Sequence, residues 1–182
     1  MLRDRRAFIR KTSALAASVT VSGMTAPAIS ASAGDVRSIE LLALHTNEYL
    51  SGAFWARGKY IEPNLAAIDH LLRDHRTDEM HRMDPRLLNY LHDLANSLGV
   101  SGPFHVISGY RSAATNAQLR RKSSGVARRS FHMFGRAVDV RMPDVPTAIV
   151  RDAAIALERG GVGYYPRSDF IHLDTGKYRH WG

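Results

Sequence analysis

The chain of 182 residues contains no cysteine, and that absence constrains it more than any residue it holds. Disulfide staples, a thiol nucleophile and Cys-ligated zinc or iron–sulfur sites are all excluded. The fold must rest on an apolar core, and any metal or nucleophile must use His, Asp, Glu, Ser or Lys. Apolar residues make up 45% of the chain and charged residues 23%, a globular balance that argues against disorder. At this length the core belongs to one domain rather than two. Beyond the N-terminal region no run approaches the ~18 apolar residues of a membrane span.

The formal net charge of +8 invites a nucleic-acid partner, but its distribution argues otherwise. Arg3, Arg5, Arg6, Arg10 and Lys11, with the single acid Asp4, fall in the first 33 residues. There Asp4-Arg5-Arg6-Ala7-Phe8-Ile9-Arg10-Lys11 precedes a weakly apolar stretch, Thr12 to Met24, and the small-residue sites Ala26-Pro27-Ala28 and Ala31-Ser32-Ala33. A charged start, a short apolar middle and a small-residue end form an export signal. The paired arginines resemble a bacterial twin-arginine signal. Cleavage after Ala33 predicts a single domain over 34–182 working in the periplasm, with no stable membrane insertion once the signal is gone. That domain carries 20 bases against 16 acids, a net +4. Such a charge suits an anionic polymer; with the export signal, it argues against nucleic acid.

Ile39 to Thr46 and Glu48 to Trp55 read as a hairpin turning at Thr46-Asn47. Glu62-Pro63-Asn64 opens a helical pattern with Leu65, Ile68, Leu71 and Leu72 on one face. Asp84-Pro85 is a clean helix start, Leu87 to Leu98 follow at helical spacing, and Gly99 stops them. Phe104 to Ser108 reads as a buried strand, Ser112 to Lys122 as a helix, and Val138 to Arg141 as a strand. Thr147 is expected to cap a helix through Leu157. Val162 to Tyr165 and Phe170 to Leu173 close the pattern as a strand pair around Pro166-Arg167-Ser168-Asp169. Helices followed by mixed strands and helices predict an α+β fold, with helices packed on a small antiparallel sheet.

The chemistry concentrates in Ser130-Phe131-His132-Met133-Phe134-Gly135-Arg136-Ala137-Val138-Asp139. His132 sits just before a glycine turn and Asp139 on the strand which that turn feeds, so an imidazole and a carboxylate can meet. In Phe170-Ile171-His172-Leu173-Asp174 the alternation puts His172 and Asp174 on one face, opposite Ile171 and Leu173. Two imidazoles and one carboxylate form a zinc triad that leaves a fourth position for water, as in catalytic sites.

The pattern Ser-x-His-x-x-Gly-x-Ala-x-Asp, followed about thirty residues later by a strand His, resembles the M15 zinc peptidases, the D-Ala-D-Ala carboxypeptidase and dipeptidase group. Ile107-Ser108-Gly109-Tyr110-Arg111-Ser112, Gly160-Gly161-Val162-Gly163-Tyr164-Tyr165-Pro166-Arg167-Ser168, Leu44-His45-Thr46 and the terminal His180-Trp181 are similar to a murein-endopeptidase subgroup of that family. The likeness runs from about Arg37 to Trp181. It implies an M15-type peptidase fold and Zn2+ held by His132, Asp139 and His172. It also implies an Arg111 that orients substrate and stabilises the developing oxyanion, and cleavage of cross-links between peptidoglycan peptide stems. The implied bond is the meso-diaminopimelate–meso-diaminopimelate (3-3) link. Rival readings are a DD-carboxypeptidase or DD-endopeptidase acting at D-Ala, and a zinc-containing wall-binding domain without catalysis.

Two carboxylates are candidates for the general base. Asp169 stands three residues before the last triad histidine, where M15 peptidases commonly place an acid, yet it also suits an ordinary turn. Asp174 shares a strand face with His172 and equally fits an acceptor that fixes the imidazole tautomer. Arg120-Arg121-Lys122 and Arg128-Arg129 read either as solvated charge or as a means of steering an acidic peptide stem. Tyr164, Tyr165 and Trp181 either line a cleft or pack. His45, His70, His75, His81, His92, His105 and His180 read as surface or structural groups.

Overall fold

The structure, a computed structural model, describes residues 36–123 and 125–182; the export segment expected over 1–33 and the domain start at Gly34 lie outside them. A hairpin comes first: β1 (Val36–Ala43) and β2 (Glu48–Ala56) pair antiparallel. Its turn puts Asn47 at φ 57°, a left-handed position that Asn tolerates better than most residues. β3 (Lys59–Tyr60) adds to β2 and leads into α1 (Glu62–Leu71) and α2 (Pro85–Leu98). α2 obeys both of its punctuation signals. The Asp84 side chain accepts from the Arg86 N–H at the start, and Gly99 takes the left-handed conformation at the end.

β4 (Phe104–Ser108), α3 (Ala113–Lys122), a 3-10 turn at Phe131–Phe134 and β5 (Ala137–Arg141) follow. The chain then runs through α4 (Thr147–Ala156), β6 (Gly161–Tyr165), β7 (Phe170–Asp174) and β8 (Arg179–Trp181). The class is α+β. The sheet, however, is larger than expected and mixed, in the order β3-β2-β1-β4-β5-β7-β6-β8. β1 and β4 run parallel because α1 and α2 form a crossover between them. β8 runs parallel to β6 on its outer edge because β7 already occupies the inner one. β8 carries no strand signal: all three of its residues are exposed, so it has no alternation to read. A smaller correction concerns α4, whose N-cap is Pro146 rather than Thr147. The Thr147 hydroxyl donates instead to Asp169 Oδ1.

The period of two sorts the central strands into two faces. Val138 and Val140 of β5 and Ile171 and Leu173 of β7 are fully buried in one core with Leu87 and Leu91 of α2 and Val150 of α4. The Tyr90 hydroxyl donates to the Ala154 carbonyl at 2.8 Å, tying α2 to α4 inside that core. Asp139, His172 and Asp174 alternate with these apolar residues and so face the other side. Asp84 links that side to α2, because its Oδ2 accepts from the Thr175 hydroxyl at 2.9 Å, one residue beyond β7. Asp84→Ala is expected to lower stability by about 1–2 kcal/mol in urea denaturation. Asp84→Ser should keep most of the cap, and an Ala variant as stable as the parent would deny it.

Candidate metal centre

Strand register makes the first contact of the site, since Asp139 on β5 lies directly opposite His172 on β7. His132 arrives from the 3-10 turn, which Gly135 closes at φ 62°. A Cβ at Gly135 would run into the Arg82 carbonyl oxygen, so both the conformation and the space there require glycine. His132 Nε2 and His172 Nδ1 lie 3.2 Å apart, and Asp139 Oδ1 is 3.2 Å from the first and 2.9 Å from the second. Ligand atoms around a tetrahedral ion with ~2.0 Å bonds are about 3.3 Å apart. Among the described residues this is the one cluster of three such groups close enough to hold a metal ion.

The outer nitrogens of the two rings fix what the inner ones offer. His132 Nδ1 donates to the Gly109 carbonyl at 2.7 Å, an atom that can only accept, so Nε2 presents a lone pair. His172 Nε2 donates to Asp174 Oδ2 at 3.0 Å, which leaves Nδ1 as a lone pair too. Two lone pairs and a carboxylate oxygen then converge with nothing positive between them, and this donor set fits a cation. Without one, a proton takes its place. Burial works against a charged His172, but Asp139 and Asp174 on either side outweigh it and push its pKa up to about 9. Burial, together with the neighbouring His172 and Arg111, pushes His132 down although Asp139 raises it. It would raise Asp139 as well, but the two imidazoles hold that carboxyl well below the usual carboxylate range.

Arg111 stands beside the cluster. Its N–H donates to the His132 carbonyl at 3.2 Å, its Nη2 reaches Ser108 Oγ at 3.4 Å, and the same nitrogen is 3.6 Å from Asp139 Oδ2. Its buried Nε has no partner among the described residues. A cleft of about 600 Å³ opens over Arg111, His132, Asp139 and His172. One wall is the chain between α3 and the 3-10 turn, including Val126, Ala127 and Arg129; the other is Tyr165, Phe170, Arg179 and Trp181. Trp181 Nε1 donates to the Tyr165 hydroxyl at 3.1 Å, and the Trp181 ring sits 5.4 Å from that of His172. Tyr164 packs on the opposite face under Arg151.

Neither candidate base lines the cleft. Asp169 sits in the turn before β7, bonded to Thr147 and, at 3.1 Å, to Arg141. Asp174 is fully buried and its oxygens are heavily engaged. Oδ1 accepts from Gly176 N–H at 2.8 Å and Gly161 N–H at 3.2 Å, and Arg179 grips both oxygens at 3.0 and 2.7 Å.

The chain matches, over residues 31–181, the M15-type peptidase family described as peptidoglycan L,D-endopeptidase MepK. The relative of that name from Escherichia coli (strain K12) is 43% identical over 145 residues, 80% of each chain. A probable peptidoglycan L,D-endopeptidase MepK from Haemophilus influenzae is 45% identical over 139 residues, 76% of this chain and 75% of that one. The chain belongs to this family. It is therefore a peptidase.

In this M15-type peptidase several groups around the site carry little sequence signal. The Gly109 carbonyl is one. Gly109 itself is required because a Cβ would strike the Leu72 carbonyl oxygen, which accepts from Tyr110 N–H at 2.7 Å. Arg179 is another, hidden in a strand with no alternation. The alternating Gly161 and Gly163 are a readable sign of close approach: a Cβ at the first would meet the Asp174 carboxylate, and at the second the Trp181 ring at 2.6 Å. The buried Asp74 anchors the Arg111 segment, accepting from Ser112 N–H at 2.8 Å and Arg76 N–H at 3.0 Å. Burial would raise its pKa, but those N–H groups and the neighbouring Thr115 bring it from 3.8 down to about 2. A carboxyl so depressed stabilises the fold above its unfolded pKa and loses that contribution as pH falls towards its folded value. Asp74→Asn is thus expected to cost about 2 kcal/mol at pH 7, with the gap narrowing between about pH 4 and 2 in urea titrations. A gap that does not change with pH would remove the charge from the explanation.

Proposed function

We propose that this peptidase is a zinc-dependent endopeptidase that hydrolyses peptide cross-links of peptidoglycan outside the cytoplasm. The observation that carries the reading is the convergence of His132 Nε2, Asp139 Oδ1 and His172 Nδ1 at 2.9–3.2 Å beneath an open cleft. The names of the relatives extend it to peptidoglycan. The Arg5-Arg6 segment supports export by the twin-arginine route to the periplasm. The bond cut is the 3-3 link between two meso-diaminopimelate residues, carried over from the family resemblance.

His132, Asp139 and His172 would hold the zinc, which when bound would supply a Lewis acid for the peptide carbonyl and lower the pKa of water towards ~7. The protein's own residues do the rest. Gly109 and Asp174 hold the two imidazoles in the tautomers that turn lone pairs inward, and Arg179 keeps Asp174 ionised. Arg111, fixed through the His132 carbonyl and Ser108, presents its guanidinium where negative charge develops on the carbonyl oxygen. Asp174, with both oxygens occupied, is assigned to orienting His172 rather than to taking a proton. Asp169 fastens the turn before β7 to α4. The indole of Trp181 and the ring of Tyr165 wall the cleft against solvent.

The test is mass spectrometry of cross-linked muropeptides incubated with the zinc-loaded full chain, using a pool that contains both diaminopimelate–diaminopimelate and D-Ala–diaminopimelate dimers. Loss of the first class alone is expected, abolished in His132→Ala. Loss of the second class instead would assign the enzyme to D-Ala bonds. Intact dimers with zinc bound would make it a binding domain. The two acids are separated by a second comparison. Asp174→Asn should weaken zinc binding roughly 10–100-fold in chelator competition, while Asp169→Asn leaves zinc affinity and turnover near the parent values. A large loss of turnover with normal zinc affinity in Asp169→Asn would restore that residue as the base.

A further inference from the structure

From Leu94 to Val138 the chain has seven bases and no acid. Two of the bases are employed locally: Arg111 beside Asp139, and Arg136 on Thr175 and near Asp84. The other five, Arg120, Arg121, Lys122, Arg128 and Arg129, are exposed, and none forms an ion pair within 4.0 Å among the described residues. Three of them occupy the last turn of α3, where a helix end offers only about half a negative charge. The excess is not explained by the helix.

Its position is fixed. The buried Asn116 side chain donates to the carbonyls of Ala127 and Arg128 at 3.2 and 3.4 Å, which pins the backbone where Arg128 and Arg129 project. Arg129 lines the cleft with Arg111 and Arg179, whereas Asp139 is the one carboxylate on its lining among the described residues. That carboxylate faces the two imidazoles. Arg111 stands beside that carboxylate and Arg179 beside Asp174, so the unopposed positive charge lies on one rim, where Arg129 and Ser123, the residue after Arg120–Lys122, line the cleft beside the apolar Val126 and Ala127.

We propose that this rim, Arg120–Lys122 with Arg128 and Arg129, binds the free carboxylates of a peptide stem and so selects acidic stems and orients them across the metal centre. The proposal rests on the peptidoglycan reading above, because it takes the ligand to be the carboxylate-bearing stem of that substrate. Several exposed cations facing one acidic ligand act mainly on encounter and orientation, and their effect is screened by salt.

Binding is read by fluorescence anisotropy with a labelled uncross-linked stem peptide, which offers no cross-link to cut, added to the zinc-loaded full chain. Arg128→Gln/Arg129→Gln and Arg120→Gln/Arg121→Gln/Lys122→Gln are each expected to weaken binding roughly five- to tenfold and to flatten its salt dependence. Amidating the stem carboxylates should weaken binding to the parent protein by a similar factor and barely affect the variants. Arg128→Lys/Arg129→Lys should recover most of the affinity, and Lys59→Gln, on the far edge of the sheet, should change nothing. Parent affinity indifferent to amidation, or rim variants that bind like the parent, would overturn the proposal. So would a stronger rim-dependent affinity for phosphatidylglycerol vesicles than for the stem. Cleavage of cross-linked dimers, followed in parallel, keeps the two readings apart. A protein that binds stems through the rim but cuts nothing loses the peptidase reading and keeps the rim. One that cuts dimers with a KM insensitive to the rim does the reverse.

Discussion

The pairing of Asp139 with His172 across β5 and β7 is the contact on which the rest of the site depends. Strand periodicity makes it all-or-none, since a slip of β7 by one residue would turn Ile171 and Leu173 outward and drive the His172 imidazole into the apolar layer. The helices on the other face prevent that slip by burying Val138, Val140, Ile171 and Leu173 completely. Core packing and site geometry are thus one constraint read from two sides of the same strands. The pairing also has an electrostatic consequence. A carboxylate as buried as Asp139 is costly unless something positive faces it; Arg111 Nη2 lies 3.6 Å from Oδ2, and Oδ1 is left to a proton or a cation at the point where the three side chains meet.

The surrounding loops serve that point. Ser108-Gly109-Tyr110-Arg111-Ser112 is held along the chain after α1 by the Leu72 carbonyl and the Asp74 carboxylate. From that anchorage it supplies a carbonyl to His132, a guanidinium to the cleft and a cap to α3. Glycine 109 makes the approach possible because a side chain would collide with backbone rather than with a movable neighbour. Gly161 and Gly163 do the same on the opposite side, admitting Asp174 with Arg179 and then Trp181.

What the sequence made legible follows from the range over which each signal acts. α2 could be read from Asp84-Pro85 and Gly99 because capping is local. A turn related His132 to Asp139 and an alternating strand related His172 to Asp174, because both fix directions over a few residues; joining the two pairs rested on the resemblance to the M15 pattern. The parallel pairs were not legible, since they depend on which sheet edge is already taken when the chain returns. Nor was β8, whose three exposed residues show no alternation. The two candidate bases were indistinguishable in one dimension. Their difference comes from distant partners: Gly161 and Arg179 converge on Asp174, and Arg141 and Thr147 reach Asp169.

Arg179 shows why those distant partners matter for charge as well as for shape. A third guanidinium near a cationic centre would repel any metal ion if it were free to approach. Asp174 prevents this by taking both of its terminal nitrogens, while the same carboxylate accepts from His172. The positive charge of Arg179 then reaches the ligand site only through a neutralising carboxylate, yet its side chain still lines the cleft. Arg111 is handled differently, with its Nη2 3.6 Å from the second oxygen of Asp139 and its Nε unpartnered among the described residues. One arginine is neutralised to protect the ligand geometry and the other is left under-satisfied facing the cleft. That asymmetry separates the task of holding a cation from the task of attracting negative charge, although both are carried out within a few ångströms of Asp139.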